Sequence, residues 1–178
     1  NVLYFEDSVS INENLDEDFI MKFSEENNNI EFGFIVVNGD LTVNGRIQLF
    51  EEFPSLIVNG ITKGQTLEGG DCEIYIKDGV FDYFVFGYYN DGILKAGNIE
   101  TKFVINMDHN LQISSEKAIY IDNFGNSNKE YDYTFSEISS NFISDVVEEE
   151  GSLNFEKFYS FLNAHKNVFK PNAKINNK

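Results

Sequence analysis

The chain has 178 residues, of which 42% are hydrophobic and 15% aromatic, so it can bury one sizeable core. Its 13 Lys and Arg residues against 30 Asp and Glu give a net charge of −17, which argues against nucleic-acid or anionic-membrane binding. Arg46 is the only arginine and Cys72 the only cysteine, so neither bidentate phosphate recognition nor a disulfide is expected. The lone cysteine is typical of a reducing compartment, and we expect a cytoplasmic protein.

The N-terminal stretch, residues 1–29, is predicted to be an acidic cap segment. It holds eight acidic residues and a single lysine. Leu15, Phe19 and Phe23 recur at a spacing of four residues after Asn14, a residue type that favours helix N-termini. We therefore expect a short amphipathic helix near the N-terminus.

The middle of the chain, residues 30–129, is predicted to be a β-helix. Twelve of the thirteen glycines lie between Gly33 and Gly125, and short β-branched and aromatic stretches end at Gly, Asn or Asp. Apolar residues recur about every 19 residues in three columns, which are Val37, Val58, Ile76, Leu94; Leu41, Ile61, Val80, Ile99, Ile119; and Ile47, Leu67, Phe86, Ile105. This period predicts a mainly β fold, a short parallel β-helix of about five coils. An antiparallel sandwich whose strands recur by coincidence is the alternative.

The triplet Val-Asn-Gly occurs three times in this region, and we interpret it as turn chemistry. Asparagine and glycine favour turns because both tolerate a positive φ angle. The residues assigned to the corners of the coils are Asn38, Gly39, Asn44, Gly45, Asn59, Gly60 and Gly79.

The C-terminal part, residues 130–170, changes to helical spacing. Two amphipathic series are present, namely Phe135, Ile138, Phe142, Val146 and, after Ser152 as a candidate cap, Phe155, Phe158, Tyr159, Leu162. An open solenoid end exposes unpaired strand edges, so we expect two helices that cap the β-helix. A tail, residues 171–178, follows, and all segments are expected to form one folding unit.

Catalytic and metal-binding signals are sparse. Asp108 beside His109 suits a general base, but the sequence indicates no nucleophile nearby. Two histidines and one cysteine make a weak zinc site. The stretch EEEGSLNFEKF is interpreted as a solvated helix end, because aligning Gly151 with the sixth position of a calcium loop places Val146 and Lys157 at ligand positions. We expect no catalytic residue, no metal and no cofactor.

An interaction surface is the stronger expectation. Two tyrosines precede an Asn-Asp-Gly turn, where tyrosines are good interface anchors, and several acidic residues surround the third coil. The candidate partner-binding residues are Tyr88, Tyr89, Asp71, Glu73, Asp78, Asp82 and Asp91. The alternative for the tyrosines is stacking at a corner of the solenoid.

The stretches VVNGDLTVNG, LIVNG and FGYYNDGILKAGNIETKFVINMDHNL, within residues 33–125, resemble short bacterial parallel β-helix proteins called bactofilin-like or polymer-forming cytoskeletal proteins. The resemblance implies a parallel β-helix that polymerises end to end through uncapped ends. The helices expected at both ends of this chain depart from that plan.

Three functional hypotheses follow. The first is a non-catalytic protein that binds a basic protein partner, such as an immunity or antitoxin-type inhibitor of a bacterial toxin. The second is a structural β-helix that assembles with copies of itself. The third is a carbohydrate-active β-helix enzyme, which would require Asp108 and His109 to point into a shared pocket.

Overall fold

A computed structural model describes residues 1–50, 54–89, 91–125 and 131–174. Its strands are β1 (Val2–Phe5), β2 (Val9–Ile11), β3 (Phe34–Val37), β4 (Leu41–Val43), β5 (Arg46–Leu49), β6 (Ser55–Gly69), β7 (Glu73–Tyr88), β8 (Ile93–Glu100), β9 (Phe103–Met107), β10 (Asn110–Ser114) and β11 (Ile119–Asp122). Its helices are α1 (Glu17–Glu26), α2 (Phe135–Asn141), a 3₁₀ helix (Ser144–Val146) and α3 (Phe155–Asn163).

All pairs between these strands are parallel, and they form three ladders around a common interior. The first ladder runs β1, β3, β6, β7, β8, β10, the second β2, β4, β6, β7, β8, and the third β5, β6, β7, β9, β11. β6 and β7 take part in all three ladders, and the register between them shifts twice. The mainly β fold class is therefore confirmed, with a parallel β-solenoid, one helix near the N-terminus and two near the C-terminus.

The period of the solenoid is visible in one inward column of the first ladder. Ile35, Leu56, Ile74, Leu94 and Leu111 pair in succession at intervals of 21, 18, 20 and 17 residues. All five side chains are at most 6% exposed. The solenoid thus makes about four turns from β3 to β10, and β1 and β2 add a coil at the N-terminal end.

The first two predicted columns need correction. Val37, Val58 and Ile76 pair as predicted, but the next partner is Ala96, because Leu94 pairs with Ile74.

In the second column the inward positions after Leu41 are Thr62 and Gly79. Ile61 and Val80 are displaced from that column and are 39% and 38% exposed. Ile119 belongs to the third ladder, where it pairs with Phe103.

The third column contains a slip of one residue. Ile47 pairs with Leu67, but Leu67 pairs with Val85, while Phe86 pairs with Glu68 and Ile105. Successive side chains of a strand point to opposite faces, so Phe86 lies on the outward face of the third ladder. This outward face is also buried, because the C-terminal part covers it.

Two hydrophobic cores result. The interior core is mostly aliphatic, with Phe81 as a buried aromatic member, and contains the inward residues of the coils. The second core lies between the outward face of the third ladder and the C-terminal part, where Phe84, Phe86 and Phe103 contact α3 through Phe155 and Phe158. The C-terminal helices therefore cover a side of the solenoid along its length.

The N-terminal segment 1–29 contributes a coil as well as the expected helix. β1 and β2 extend the first two ladders, and Leu15 bridges to Ile47 in the third. The cap of α1 is Asp16, whose carboxylate accepts the Phe19 N–H, and not the expected Asn14. At α3 the cap is Asn154, and not the expected Ser152.

Six of the seven residues assigned to corners lie between paired segments: Asn38, Gly39, Asn44 and Gly45 lie between strands, and Asn59 and Gly60 lie between the two paired parts of β6. The Asn59 side chain donates to Asn38 Oδ1 at 3.1 Å, and the Asn44 side chain donates to Asn12. Among the described glycines, only Gly125 and Gly151 have positive φ. Glycine is needed at Gly60 because a Cβ there would lie 2.5 Å from the Gly39 carbonyl oxygen.

Gly79 is not a corner residue. It lies within the second ladder between Thr62 and Ile99. A Cβ on Gly79 would lie 2.6 Å from the Phe81 ring and 2.8 Å from Ile99. Its lack of a side chain therefore makes room for interior packing.

Two predicted boundaries extend beyond the described ranges. Residues 126–129, at the end of the predicted β-helix, and residues 175–178 of the predicted tail lie outside the described residues. The longest described helix has 10 residues, so no helix in these ranges is long and apolar enough to cross a bilayer.

Candidate partner-binding site

The predicted acidic residues are spread over several parts of the solenoid. In each coil the chain turns from the third ladder to the first ladder of the next coil, and these turns follow β6, β7 and β9. Asp71 lies at this corner after β6, and Asp91 lies at it after β7. Asp78 lies at the corner between the first and second ladders, where its carboxylate accepts the Asn98 N–H at 2.9 Å. Asp82 is exposed between the second and third ladders, and Glu73 is exposed at the start of β7 in the first ladder. The structure therefore does not gather them into one patch.

Tyr88 and Tyr89 lie at the same corner as Asp71 and Asp91, and we call these four residues the tyrosine corner. The Tyr88 and Tyr89 ring centroids are 5.8 Å apart. Tyr89 is 48% exposed and has a φ of 76°, in the left-handed region. Its N–H donates to the Met107 carbonyl at 3.0 Å, which holds the turn against the next coil.

His109 supports this corner from inside. Its Nδ1 lies 2.6 Å from the Tyr89 carbonyl oxygen, and its Nε2 is buried without a partner among the described residues. Burial lowers the pKa of His109, against the opposing effects of the Tyr89 and Tyr88 carbonyls and of Asp71. Asp108 is exposed, with a φ of 59°. Neither Asp108 nor His109 lines either of the two described cavities.

Cys72 lies beside the same corner and is 7% exposed. Its thiol donates to the Leu49 carbonyl. Burial raises the pKa of the Cys72 thiol to about 11, so the thiolate that nucleophilic chemistry needs is scarce near neutral pH.

A cavity of about 450 Å³ opens next to the tyrosine corner. It lies between the end of the third ladder and the turn before α3, and Tyr88 belongs to both the cavity and the corner. Its apolar walls are formed by Phe50, Phe86, Tyr88, Met107 and Phe155. Four glutamates also line it, namely Glu68, Glu148, Glu150 and Glu156. We call it the acidic–aromatic pocket.

The turn before α3 carries the acidic side of this pocket. Val147 and Leu153 form an antiparallel bridge, and the Glu148 N–H donates to the Ser152 carbonyl at 2.8 Å. Gly151 closes the turn with a φ of 102°, which favours glycine. The Leu153 N–H donates to Asn123 Oδ1 at 2.7 Å, so the turn is fixed to the solenoid.

Arg46 lies beside the pocket and holds two of its carboxylates. It donates to Glu68 through Nε and Nη2, both at 2.8 Å, and to Glu156 through Nη1 and Nη2 at 2.7 and 2.8 Å. Its guanidinium carbon lies 4.4 Å from the Tyr159 ring centroid. Burial alone would lower the pKa of Arg46, but the hydrogen bonds to Glu156 and Glu68 raise it above its ordinary value.

Glu148 and Glu150 are less fully paired. One oxygen of Glu148 accepts the Asn154 side chain, and one oxygen of Glu150 accepts the Ser152 hydroxyl at 3.2 Å. Among the described residues, neither carboxylate has a salt bridge. The pocket therefore combines four carboxylates with one guanidinium and has a net negative charge.

Residue patterns alone did not identify this pocket. The stretch EEEGSLNFEKF, interpreted above as a solvated helix end, does lead into α3 with Glu149, Glu150 and Glu156 exposed. It also forms the acidic rim and one aromatic wall of the pocket. The available signal was the single arginine, because a buried arginine needs a carboxylate partner such as Glu68. In the described ranges, no three His, Cys, Asp or Glu side chains are grouped to hold a metal ion.

Comparisons with protein-family models, with curated proteins and with solved structures found no match for this chain. Any function must therefore be argued from the site itself.

Proposed function

We propose that this chain is a non-catalytic binding protein whose partner is a basic protein. The observation that carries the proposal is the acidic–aromatic pocket, which lies beside two tyrosines and two exposed aspartates of the tyrosine corner. Aromatic anchors next to a pocket are typical of the residues that dominate binding energy. The net charge of −17 attracts a basic partner over long range.

The concrete form that we favour is an inhibitor of a basic toxin, as an immunity protein or antitoxin is. Such a protein needs a surface complementary to its target and no catalytic group. The proposal places it in the cytoplasm and gives it neither a nucleic-acid nor a membrane partner, because its charge repels both.

Purification of the tagged protein from its native host at low salt, with elution by a salt gradient, tests this proposal. We expect one basic protein to elute as salt rises, since screening weakens charge-based binding. Reconstitution from the two purified proteins and calorimetric titration then give the Kd. A partner whose affinity does not change with salt would contradict the proposal.

The dispersed acidic residues supply matched variants for that titration. Replacing both Asp71 and Asp91 by Lys at the tyrosine corner should weaken binding by about tenfold or more, since close charge pairs at interfaces contribute about 1.5 kcal/mol or more. The control is the double variant Asp82→Lys, Glu100→Lys, at exposed positions away from this corner, which makes the same change in net charge and should change the Kd by less than about twofold. An equal loss in both double variants would mean that only the overall charge matters.

A self-assembling, bactofilin-like role is the alternative. The observation that favours it is that β1 and β10, the two ends of the first ladder, each pair with only one described strand. Copies stacked head to tail would extend the parallel ladder. Sedimentation over a range of protein concentrations separates the two roles: growing filaments would favour assembly, and a small species of constant size would favour partner binding.

A further inference from the structure

We propose that the acidic–aromatic pocket is a receptor for a lysine side chain and that it selects lysine over arginine. This inference rests on the proposed function for the protein that supplies the lysine. The pocket itself can be tested without that partner.

The shape and the walls of the pocket favour a cation on an apolar stem. A volume of about 450 Å³ is ample for one long side chain. Phe86 and Phe155 stack with centroids 3.6 Å apart, and Phe50 lies edge-on to Tyr88 at 6.4 Å. Apolar walls of this kind bury the methylene stem of a lysine.

The charge of the pocket disfavours an anion and favours a cation. Glu68, Glu148, Glu150 and Glu156 supply four negative charges, and Arg46 compensates for one. A carboxylate or phosphate would be repelled by the remaining charge. An ammonium group would reduce it.

The arrangement of carboxylate oxygens distinguishes lysine from arginine. A guanidinium group binds best to both oxygens of one carboxylate. The two carboxylates positioned for such pairing, Glu68 and Glu156, already bind Arg46 in this way. Each of Glu148 and Glu150 has one oxygen engaged within the chain. The remaining oxygens act singly, which suits an ammonium group better than a guanidinium fork.

The two methionines of the chain permit a direct measurement of binding in the pocket. Met107 lines the pocket, whereas Met21 lies on α1 and is 50% exposed. In protein labelled with ¹³C at the methionine methyl groups, titration with Nα-acetyl-lysine methylamide at low salt should shift the Met107 signal saturably. The Met21 signal should not shift. The matching arginine compound should bind about two- to tenfold more weakly, because its fork finds fewer paired acceptors.

Neighbouring glutamates provide a matched pair of variants. Glu150 lines the pocket, while Glu149 is exposed and does not. Glu150→Gln should weaken the lysine compound by about two- to fivefold, and Glu149→Gln should leave its affinity unchanged. Both variants carry the same net charge, so a general charge effect would weaken both equally. Thermal unfolding curves of both variants that match the curve of the parent confirm that the fold is retained.

Three results would overturn the inference: no saturable Met107 shift, an arginine compound that binds as well as lysine, or equal effects of the two variants. These results differ from a failure of the proposed function. A pocket that binds lysine in a chain without a basic partner leaves the inference standing and the function wrong. A basic partner that binds unchanged after its contact lysines are replaced by arginine leaves the function standing and the inference wrong.

Discussion

A single buried arginine organises the acidic side of this molecule. The side chains of Arg46 and Glu68 are 7% and 1% exposed, whereas that of Glu156 is 70% exposed. Glu68 also accepts the Thr66 hydroxyl at 2.5 Å. Water therefore cannot replace Glu68 as a partner of Arg46, whereas it can replace Glu156.

We expect the two carboxylates to differ in their effect on stability. Glu68→Gln leaves a buried guanidinium with an exposed partner only, and should lower the free energy of unfolding by about 3 kcal/mol or more. Glu156→Gln removes a solvated charge and should cost less than about 1 kcal/mol. Urea denaturation at pH 7 measures both values. Equal losses would show that burial of the pair does not decide its strength.

At the scale of single elements, the coils depend on close contacts between successive corners. A Cβ at Gly60 would meet the Gly39 carbonyl, whereas a Cβ at Gly33 would have only one neighbour, at 3.8 Å. Gly60→Ala should therefore destabilise the chain by about 1–3 kcal/mol, as overpacking does. Gly33→Ala, the control, should stay within about 0.5 kcal/mol of the parent. Thermal and urea unfolding of both variants check this, and equal stabilities would contradict the close-contact explanation.

Much of the architecture was predictable from residue patterns because the period of a solenoid is carried by many residues at once. The errors occur where one position breaks the apolar pattern. Thr62 and Gly79 fill inward positions, so the apolar neighbours Ile61 and Val80 were assigned to the wrong column. In the third ladder both faces are buried, and a strand that is apolar on both faces does not indicate which residue points inward.

The candidate site was less predictable, for a different reason. Tyr88 and Tyr89 are adjacent in the sequence and precede an Asn-Asp-Gly stretch, so a local pattern indicates that they lie near one turn. The acidic–aromatic pocket joins residues that are far apart in the chain, such as Phe50 and Glu148. Its existence depends on how the C-terminal part covers the third ladder, which no local pattern specifies.

At the scale of the whole molecule, pH changes stability through groups whose pKa differs between the folded and unfolded states. Burial lowers the pKa of His109 from an ordinary value of 6.5. As the pH falls below 6.5, this side chain is more protonated in the unfolded chain than in the folded chain, so the folded state loses stability. Hydrogen bonds from Thr134 and Arg46 lower the pKa values of Glu137 and Glu156 from 4.5, respectively. Stability from these carboxylates is lost as the pH falls below 4.5.

His109→Asn should separate these two pH ranges. Asn keeps an N–H near the position of Nδ1 but does not titrate. Compared with the parent, the variant should lose less stability as the pH falls below 6.5, and the loss below 4.5 should remain. The control is His165→Asn, at the exposed second histidine. Urea denaturation at several pH values gives the curves, and parallel curves for parent and His109→Asn would contradict the role of His109.

The C-terminal covering layer also sets how this chain can vary in length. Arrays of repeats normally gain or lose whole units, because each unit contacts only its neighbours. In this chain the covering layer is hydrogen-bonded to several different coils. Arg46 donates to Glu156, Tyr83 donates to Asn163, and the Leu153 N–H donates to Asn123. Removal or duplication of one coil would move these attachment points by one strand spacing, about 4.8 Å. The covering layer therefore fixes the number of coils in this fold.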